Sequence, residues 1–381
     1  MRLALCGAVA LLTHPTFAQT GQTVDDYVTP YDAIAQAMAK DPLGNLYAAG
    51  LGAIDANFDT LAVVKKSTDG GATWSVVDTF SNGEAAPFYE YNAITSDRVG
   101  NLYAVGDGNG WFARRSLDGG SSWSTVDTLA GIAHGVATDA AGNVYVAGDN
   151  SANQSWIVRK GTGTGTSWST VDTFSPGGYG SARAVLCHPT AGIFITGTGY
   201  GGGRKGADQQ WYVRRSLDNG ATWTTVDAYL GGSSRGIGMD SYGSVYVVGI
   251  NANHWIVRKS SNGGTSWATV DDFFPSTTTV SPQPPYKTQT TYYPAIAEEF
   301  AADANGNLFV VGIRNGPGAS QWVIRMNPGG TGSWQTVNTF QYVSGKEAMA
   351  YGITADSSGH VLVGGFGADA ASVYHWLVRK Y

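Results

Sequence analysis

Seven polar residues of this chain occupy one fixed place in a repeated segment: Gln36, Asn92, His134, Arg183, Arg235, Glu298 and Tyr351. Each stands five residues before a recurring Asp, replaced by His188 in the fourth copy. The next residue is Ala or Gly in every copy except one, which has Glu299, and the one after it is always apolar. A side chain that a scaffold needs recurs in every copy, whereas one needed by a single ligand occurs once. This column therefore has the character of a site. Arg183 and Arg235, on neighbouring copies, suit a carboxylate, phosphate or sulfate. If the chain is an enzyme, Glu298, Tyr351 and His134 are the groups that could move a proton. A plainer reading stays open beside this one: Arg235 and Glu298 could simply pair as an inter-repeat salt bridge.

Other polar groups gather near the same end of the repeats. The longest loop runs from Phe274 to Glu298, with Pro282, Pro284, Pro285, Tyr286, Lys287, Tyr292 and Tyr293. Long loops over a scaffold carry function or mobility, and its Tyr292 and Tyr293 are expected to contact ligand. Phe88, Tyr89 and Glu90 precede the second repeat, and Tyr200, Arg204, Lys205 and Asp208 lie in a loop of the fourth. Asp107 and Asp149 share one loop position in adjacent repeats. Such a carboxylate pair could bind a cation or act on a glycosidic bond, although solvated loop Asp is the ordinary reading.

What must position these groups is legible from the repeat itself. All 12 tryptophans fall into it. Trp111, Trp156, Trp211, Trp255, Trp322 and Trp376 open one strand, and Trp74, Trp123, Trp168, Trp223, Trp267 and Trp334 end the turn that follows. Short alternating strands, separated by Asp/Asn/Gly turns, recur as in Asp139-Ala-Ala-Gly-Asn-Val-Tyr-Val-Ala-Gly148 and Trp156-Ile-Val-Arg-Lys160. Four strands per repeat, seven times over, predict an all-β, seven-bladed β-propeller of four-stranded antiparallel blades. The last repeat stops after its third strand. Thr23-Val-Asp-Asp-Tyr27 matches the fourth-strand segment Thr269-Val-Asp-Asp-Phe273, so residues 19–29 should complete the C-terminal blade and close the ring.

Periodic residues are read as scaffold on this basis. They include Asp69, Asp118 and Asp218 in the turns, and Asp78, Asp127, Asp172, Asp227 and Asp271 in the fourth strands. The third-strand cations, from Lys65 and Arg114 to Arg379, are expected to pair with carboxylates between or within blades.

The turn Ser67-Thr-Asp69-Gly-Gly-Ala-Thr73-Trp74, with its counterparts at Asp118 and Asp218, resembles the Asp-box or BNR repeat. The motif is found in sialidases, sortilin-type receptors, xyloglucanases and photosystem assembly factors, so the resemblance implies a propeller and no single activity. A sialidase-like reading would use Arg183, Arg235, Tyr351 and Glu298. Against it, sialidases are similar to six-bladed rings, their Arg-Ile-Pro signature is absent, and a third clamp arginine would have to be Arg314 or Arg204.

Bulk properties narrow the partners. Net charge is −6 with no basic run, which argues against nucleic acid and anionic membranes. Beyond residue 20 no apolar run is long enough for a membrane-spanning helix. Residues 1–18 read as an export signal, with a positive start, an apolar Leu3–Leu12 segment that contains Cys6, and a small-residue cleavage site at Ala18. One domain, 19–381, would follow, with Cys187 alone and no disulfide. The histidines are dispersed and no nucleotide loop or nucleophile elbow occurs, so no metal or cofactor is expected. The expectation is a secreted or periplasmic, monomeric binding module. It would hold a glycan or an extracellular protein at the channel mouth, the alternative being a glycan-active hydrolase or lyase.

Overall fold

The chain alternates strands and tight turns because the same side-chain chemistry closes each hairpin. In the first repeat the Asp41 carboxylate accepts the backbone N–H groups of Leu43 and Asn45, both at 2.9 Å, and the Asn45 side-chain amide at 2.7 Å. The chain reverses through Gly44 at φ 87°, a left-handed conformation that glycine adopts without strain. Asp97, Asp139, Asp240, Asp303 and Asp356 build the same turn. Where the fourth copy has His188, its Nδ1 takes the carboxylate's part and accepts the N–H groups of Thr190 and Ala191 at 3.2 and 2.9 Å.

The computed structural model describes residues 20–381, apart from 58, 84–87, 152–153, 201–208, 281–287 and 357. Seven four-stranded antiparallel sheets form a β-propeller. Blade 1, for example, runs Ala33–Lys40, Leu46–Ala53, Thr60–Ser67 and Ser75–Phe80 from the channel outward. The ring closes as the repeat count requires. Gln22–Tyr27 pairs antiparallel with Tyr374–Lys380, from Gln22 opposite Lys380 to Tyr27 opposite Trp376, with one register slip between Thr23 and Asp25. The expected export signal at 1–18 lies outside the described residues.

The cores lie between blades. Tyr47 and Val64 of blade 1 pack with Tyr91, Ile94 and Phe112 of blade 2, and the other borders repeat this arrangement. Each third-strand Trp is fully buried; an indole of this size contributes at most about 4–6 kcal/mol by area. Outside these cores runs a girdle of charge pairs. Arg114 donates through Nε and Nη2 to both oxygens of Asp78 on the preceding blade, each at 3.0 Å, and Arg214 does the same to Asp172. Arg159–Asp127, Arg258–Asp227, Arg325–Asp271 and Lys65–Asp25 fill equivalent borders. The pairing is thus between blades, not within them. One border departs from it: blade 6 carries Asn338 in place of Asp, and Arg379 instead donates to the hydroxyls of Tyr381 and Thr23.

The turns at Asp69, Asp118 and Asp218 do scaffold work. Asp69 accepts the Ser67 and Thr73 hydroxyls at 2.8 and 2.6 Å and the Thr73 N–H at 2.9 Å, and Asp118 and Asp218 repeat the set. Those bonds hold the Asp118 and Asp218 carboxyls down at about 2.

Candidate functional site at the channel mouth

The seven unlike polar residues have a structural property in common. In every innermost strand the pairing with the second strand slips by one residue, and the residue left over is the polar one. The slip falls between Ala35 and Ala37, Tyr91 and Ala93, Ala133 and Gly135, and Ala182 and Ala184. It recurs between Ser234 and Gly236, Ala297 and Glu299, and Ala350 and Gly352. A bulged residue has no partner across the ladder and breaks the in-out alternation, so its side chain is re-aimed. Here all seven are re-aimed into one cavity of about 360 Å³ at the mouth of the channel.

The small residue that follows each bulge has a packing cause. A Cβ on Gly135 would lie 2.9 Å from the Ala184 Cα and from the Arg183 carbonyl, and one on Gly352 would lie 2.8 Å from the Ala37 Cα. Neighbouring innermost strands therefore touch backbone to backbone. Glu299 fits this crowded column because blade 5 offers Gly236 opposite, where a Cβ would meet Glu299 Oε1 at 2.7 Å.

Around the ring the chemistry is divided. On one side Gln36 Nε2 donates to Glu90 Oε2 at 2.7 Å, and Asn92 Nδ2 donates to the Ala133 carbonyl at 3.0 Å. Next, His134 Nε2 lies 3.0 Å from Asp149 Oδ2, which also accepts the Ser181 hydroxyl at 2.9 Å. Arg183 Nη1 approaches His134 Nδ1 at 3.3 Å. Burial holds the imidazole well below its usual range, at about 4, against the pull of Asp149. A neutral ring that donates from Nε2 and accepts at Nδ1 satisfies both contacts.

Arg183 and Arg235 follow on blades 4 and 5. Burial and the charge of Arg235 lower the pKa of Arg183. The Nε of each guanidinium is buried without a hydrogen-bond partner among the described residues. Arg235 Nε stands 4.0 Å from Glu298 Oε2, so the expected ion pair exists at the limit of contact and lacks a hydrogen bond. Burial raises the Glu298 carboxyl, with Arg235 and Arg183 pulling the other way. Glu299 is pushed up to about 8 by burial, and its Oε1 accepts the Phe300 N–H at 2.9 Å. Burial also raises the Tyr351 phenol, whose hydroxyl lies 3.3 Å from the Met349 sulfur.

The loop residues are dispersed differently. Tyr292 and Tyr293 do not line the cavity. Their segment folds back on itself as a two-stranded ribbon, Ser276–Val280 with Thr288–Tyr292. Tyr292 stacks on Phe274 with ring centres 4.8 Å apart, Phe274 stacks on His254 at 4.1 Å, and the Tyr293 hydroxyl meets Thr277 at 3.2 Å. Self-pairing of the Thr-rich arms explains why this segment is a ribbon beside blade 5. Tyr89 is buried between blades against Phe80 and Phe112, while Phe88 is exposed. Asp107 accepts the Gly110 N–H at 3.2 Å, and Asp149 is engaged by His134 and Ser181. Among the described residues no cluster of three His, Cys, Asp or Glu could hold a metal ion. Pro282 to Lys287, Arg204, Lys205 and Asp208 lie outside the described residues.

A second cleft of about 460 Å³ opens between blades 4 and 5 and shares Arg183 and Arg235 with the channel cavity. Its other walls include Tyr179, Tyr200, Thr198, Ser233, Gln209 and Asn253. Most of these sit at strand ends and in connections where the repeat imposes no pattern, so the sequence singles out Tyr200 alone among them.

Comparison with solved structures places the chain among seven-bladed propellers. YCF48 from Cyanidioschyzon merolae superposes with a TM-score of 0.56 at 13% identity, over 94% of this chain and 99% of that one. The GH74 xyloglucanase from Xanthomonas campestris gives 0.58 at 13%, over 94% of this chain and 55% of that one. The GH93 α-L-arabinofuranosidase of Fusarium graminearum with arabinobiose gives 0.52 at 12%, over 95% and 97%. At such identities the likeness is one of fold. No protein-family model matches the sequence, and no curated protein matches it.

Proposed function

We propose that this chain is an exported binding module that holds a glycan or an extracellular protein at the mouth of its channel. One observation carries the reading: a non-repeating polar column of the ring is also the column of bulges in its innermost strands, so seven different side chains converge on one cavity. Scaffold needs explain the small residue beside each bulge but not the variety at the bulge itself. The Asp-box resemblance rests on the Asp69, Asp118 and Asp218 turns and supports a propeller, while the proposal of export rests on the signal-like residues 1–18. Structural neighbours differ in what they hold, from YCF48 bound to D1 peptide to an arabinofuranosidase with arabinobiose, and the fold does not choose among such ligands.

The test is binding to a glycan array and to a panel of extracellular proteins, with wild type set against Asn92→Ala/Tyr351→Phe and Arg235→Ala/Glu298→Ala. Both variants should lose binding with melting temperature nearly unchanged. Binding that survives both would remove the channel mouth from the reading. Export is tested separately by the N-terminal residue of the mature chain, expected at Gln19.

A second reading, a glycan hydrolase or lyase, has one observation in its favour. The cavity lining brings together a carboxyl that is protonated at neutral pH, Glu299, and an imidazole that is neutral there, His134. These are an acid and a base in one enclosure. Turnover of a polysaccharide panel that is lost on Glu299→Gln would favour it.

A further inference from the structure

We propose that the cleft between blades 4 and 5 takes a carboxylated sugar, a uronate residue of a polysaccharide, whose carboxylate sits on Arg183 and Arg235. The inference rests on the channel-mouth reading and names the ligand class for that site.

Four observations converge on it. First, the two guanidinium groups line both the channel cavity and the cleft, so an anion on them faces both spaces. Second, each carries a buried Nε that has no hydrogen-bond partner among the described residues. An unmet donor on a charged group is costly, and a ligand oxygen would satisfy it. Third, the local charge is too low for a multiply charged anion. Arg183 and Arg235 share the site with Glu298, whose nearest approach is 4.0 Å, and with the Asp149 carboxylate, which acts on Arg183 and is bonded to His134. A monoanion meets both guanidinium groups with the least repulsion from these carboxylates. Fourth, the cleft walls match a pyranose better than a peptide. Tyr179 and Tyr200 lie with ring centres 5.1 Å apart and planes inclined at 58°, offering an aromatic wall to a sugar face. The same lining holds the hydrogen-bonded hydroxyls of Thr198 and Ser233, 2.7 Å apart, with the Gln209 and Asn253 amides. A peptide would ask for an open strand edge or an apolar pocket. At about 460 Å³ the cleft has the size of a small-ligand site.

His134, which burial keeps neutral, fits beside this pair: its Nε2 meets Asp149 at 3.0 Å, which leaves Nδ1 as an acceptor toward Arg183 at 3.3 Å.

The experiment is calorimetric titration of the full mature chain with four probes. These are hexameric oligogalacturonate, its methyl ester, a neutral β-glucan hexamer, and an acidic hexapeptide with a free C-terminal carboxylate. The expected result is binding of the oligogalacturonate alone or far best, weakened by salt and lost on esterification. Arg183→Gln or Arg235→Gln should reduce it by about 10- to 100-fold, with melting temperature held or raised. Tyr200→Ala should weaken it as well, through the sugar face, and a carboxylate held without the sugar wall would not respond. Equal binding of the ester or the neutral glucan, lost in Asn92→Ala/Tyr351→Phe but not in the arginine variants, overturns the uronate inference and leaves the channel-mouth reading standing. Preference for the peptide overturns the sugar class. Binding that ignores every one of these substitutions overturns both readings, and absence of binding to the oligogalacturonate at millimolar concentration overturns this inference.

Discussion

Arg325 and Arg183 belong to the same ring of blades and are partnered in opposite ways. On the girdle, Arg325 clamps Asp271 of the preceding blade through Nε at 2.6 Å and Nη2 at 2.7 Å, and adds the Thr336 hydroxyl at 3.0 Å. At the channel mouth Arg183 has a long contact to His134, and its buried Nε has no hydrogen-bond partner among the described residues. Both positions are equally accessible to the repeat. At the girdle the repeat has placed a carboxylate opposite the cation at nearly every border. At the bulge column no such rule operates, and the cost of an unmet donor, about 1–3 kcal/mol, is tolerated. Local rules broken in this way are what the proposed site would require. The difference teaches that two kinds of chemistry are separated by radius in this molecule: repeated, paired charges outside, and unrepeated, unlike polar groups on the axis.

Removing the girdle's closure should have the largest effect. Without residues 20–27 the Tyr374–Lys380 edge is unpaired and the Asp25 partner of Lys65 is gone. The truncated chain should fail to give a cooperative melt and should aggregate through the open edge. A soluble, cooperatively melting truncation would show that six blades and a fragment suffice.

The next largest contrast sets one arginine against the other. Arg325→Ala leaves Asp271 buried and uncompensated, and should cost about 3–5 kcal/mol in denaturant unfolding. Arg183→Gln should cost nothing or stabilise, since it removes an unsatisfied buried group. Equal losses in the two variants would erase the distinction between scaffold and site.

Within the column itself, the bulge and the residue after it should behave differently. Gly352→Ala forces a Cβ to 2.8 Å from the Ala37 Cα, an overpacking worth about 1–3 kcal/mol. Substituting the adjacent bulge residue, as in Tyr351→Phe, should change unfolding by about 0.5 kcal/mol or less.

The smallest effect is a slope with pH. Glu299 has an ordinary value of 4.5 and a folded value of about 8, so the folded state binds the extra proton between them. Its contribution to stability is full below 4.5 and is lost as pH rises toward 8. His134 acts in the other sense, its contribution present above 6.5 and lost as pH falls toward 4. The two oppose each other in mildly acid solution, which leaves 6.5 to 8 as the window where Glu299 acts alone. Melting temperatures across that window should fall for wild type and stay level for Glu299→Gln. A slope that persists in the variant would assign the titration elsewhere.

Most of the architecture was legible in the residues. The tryptophan and Asp-turn periods give the number of blades, and Thr23–Tyr27 identifies itself as the missing strand by its likeness to Thr269–Phe273. The polar column could be singled out too, because disagreement among aligned repeats is visible in one sequence. Tyr292 and Tyr293 were assigned to the channel mouth on composition, and the pairing of Ser276–Val280 with Thr288–Tyr292 puts them on a separate ribbon.

By itself, then, the sequence determines whatever repeats, since each copy carries the turn chemistry, apolar alternation and inter-blade charge that a blade needs. Only the tertiary structure decides what each unrepeated side chain meets. The slip that makes every polar residue a bulge depends on two strands settling their register together. The 4.0 Å gap between Arg235 and Glu298 and the cleft that Arg183 and Arg235 share depend on how adjacent blades lean. Those distances join residues of different blades, and they exist only once the ring has closed.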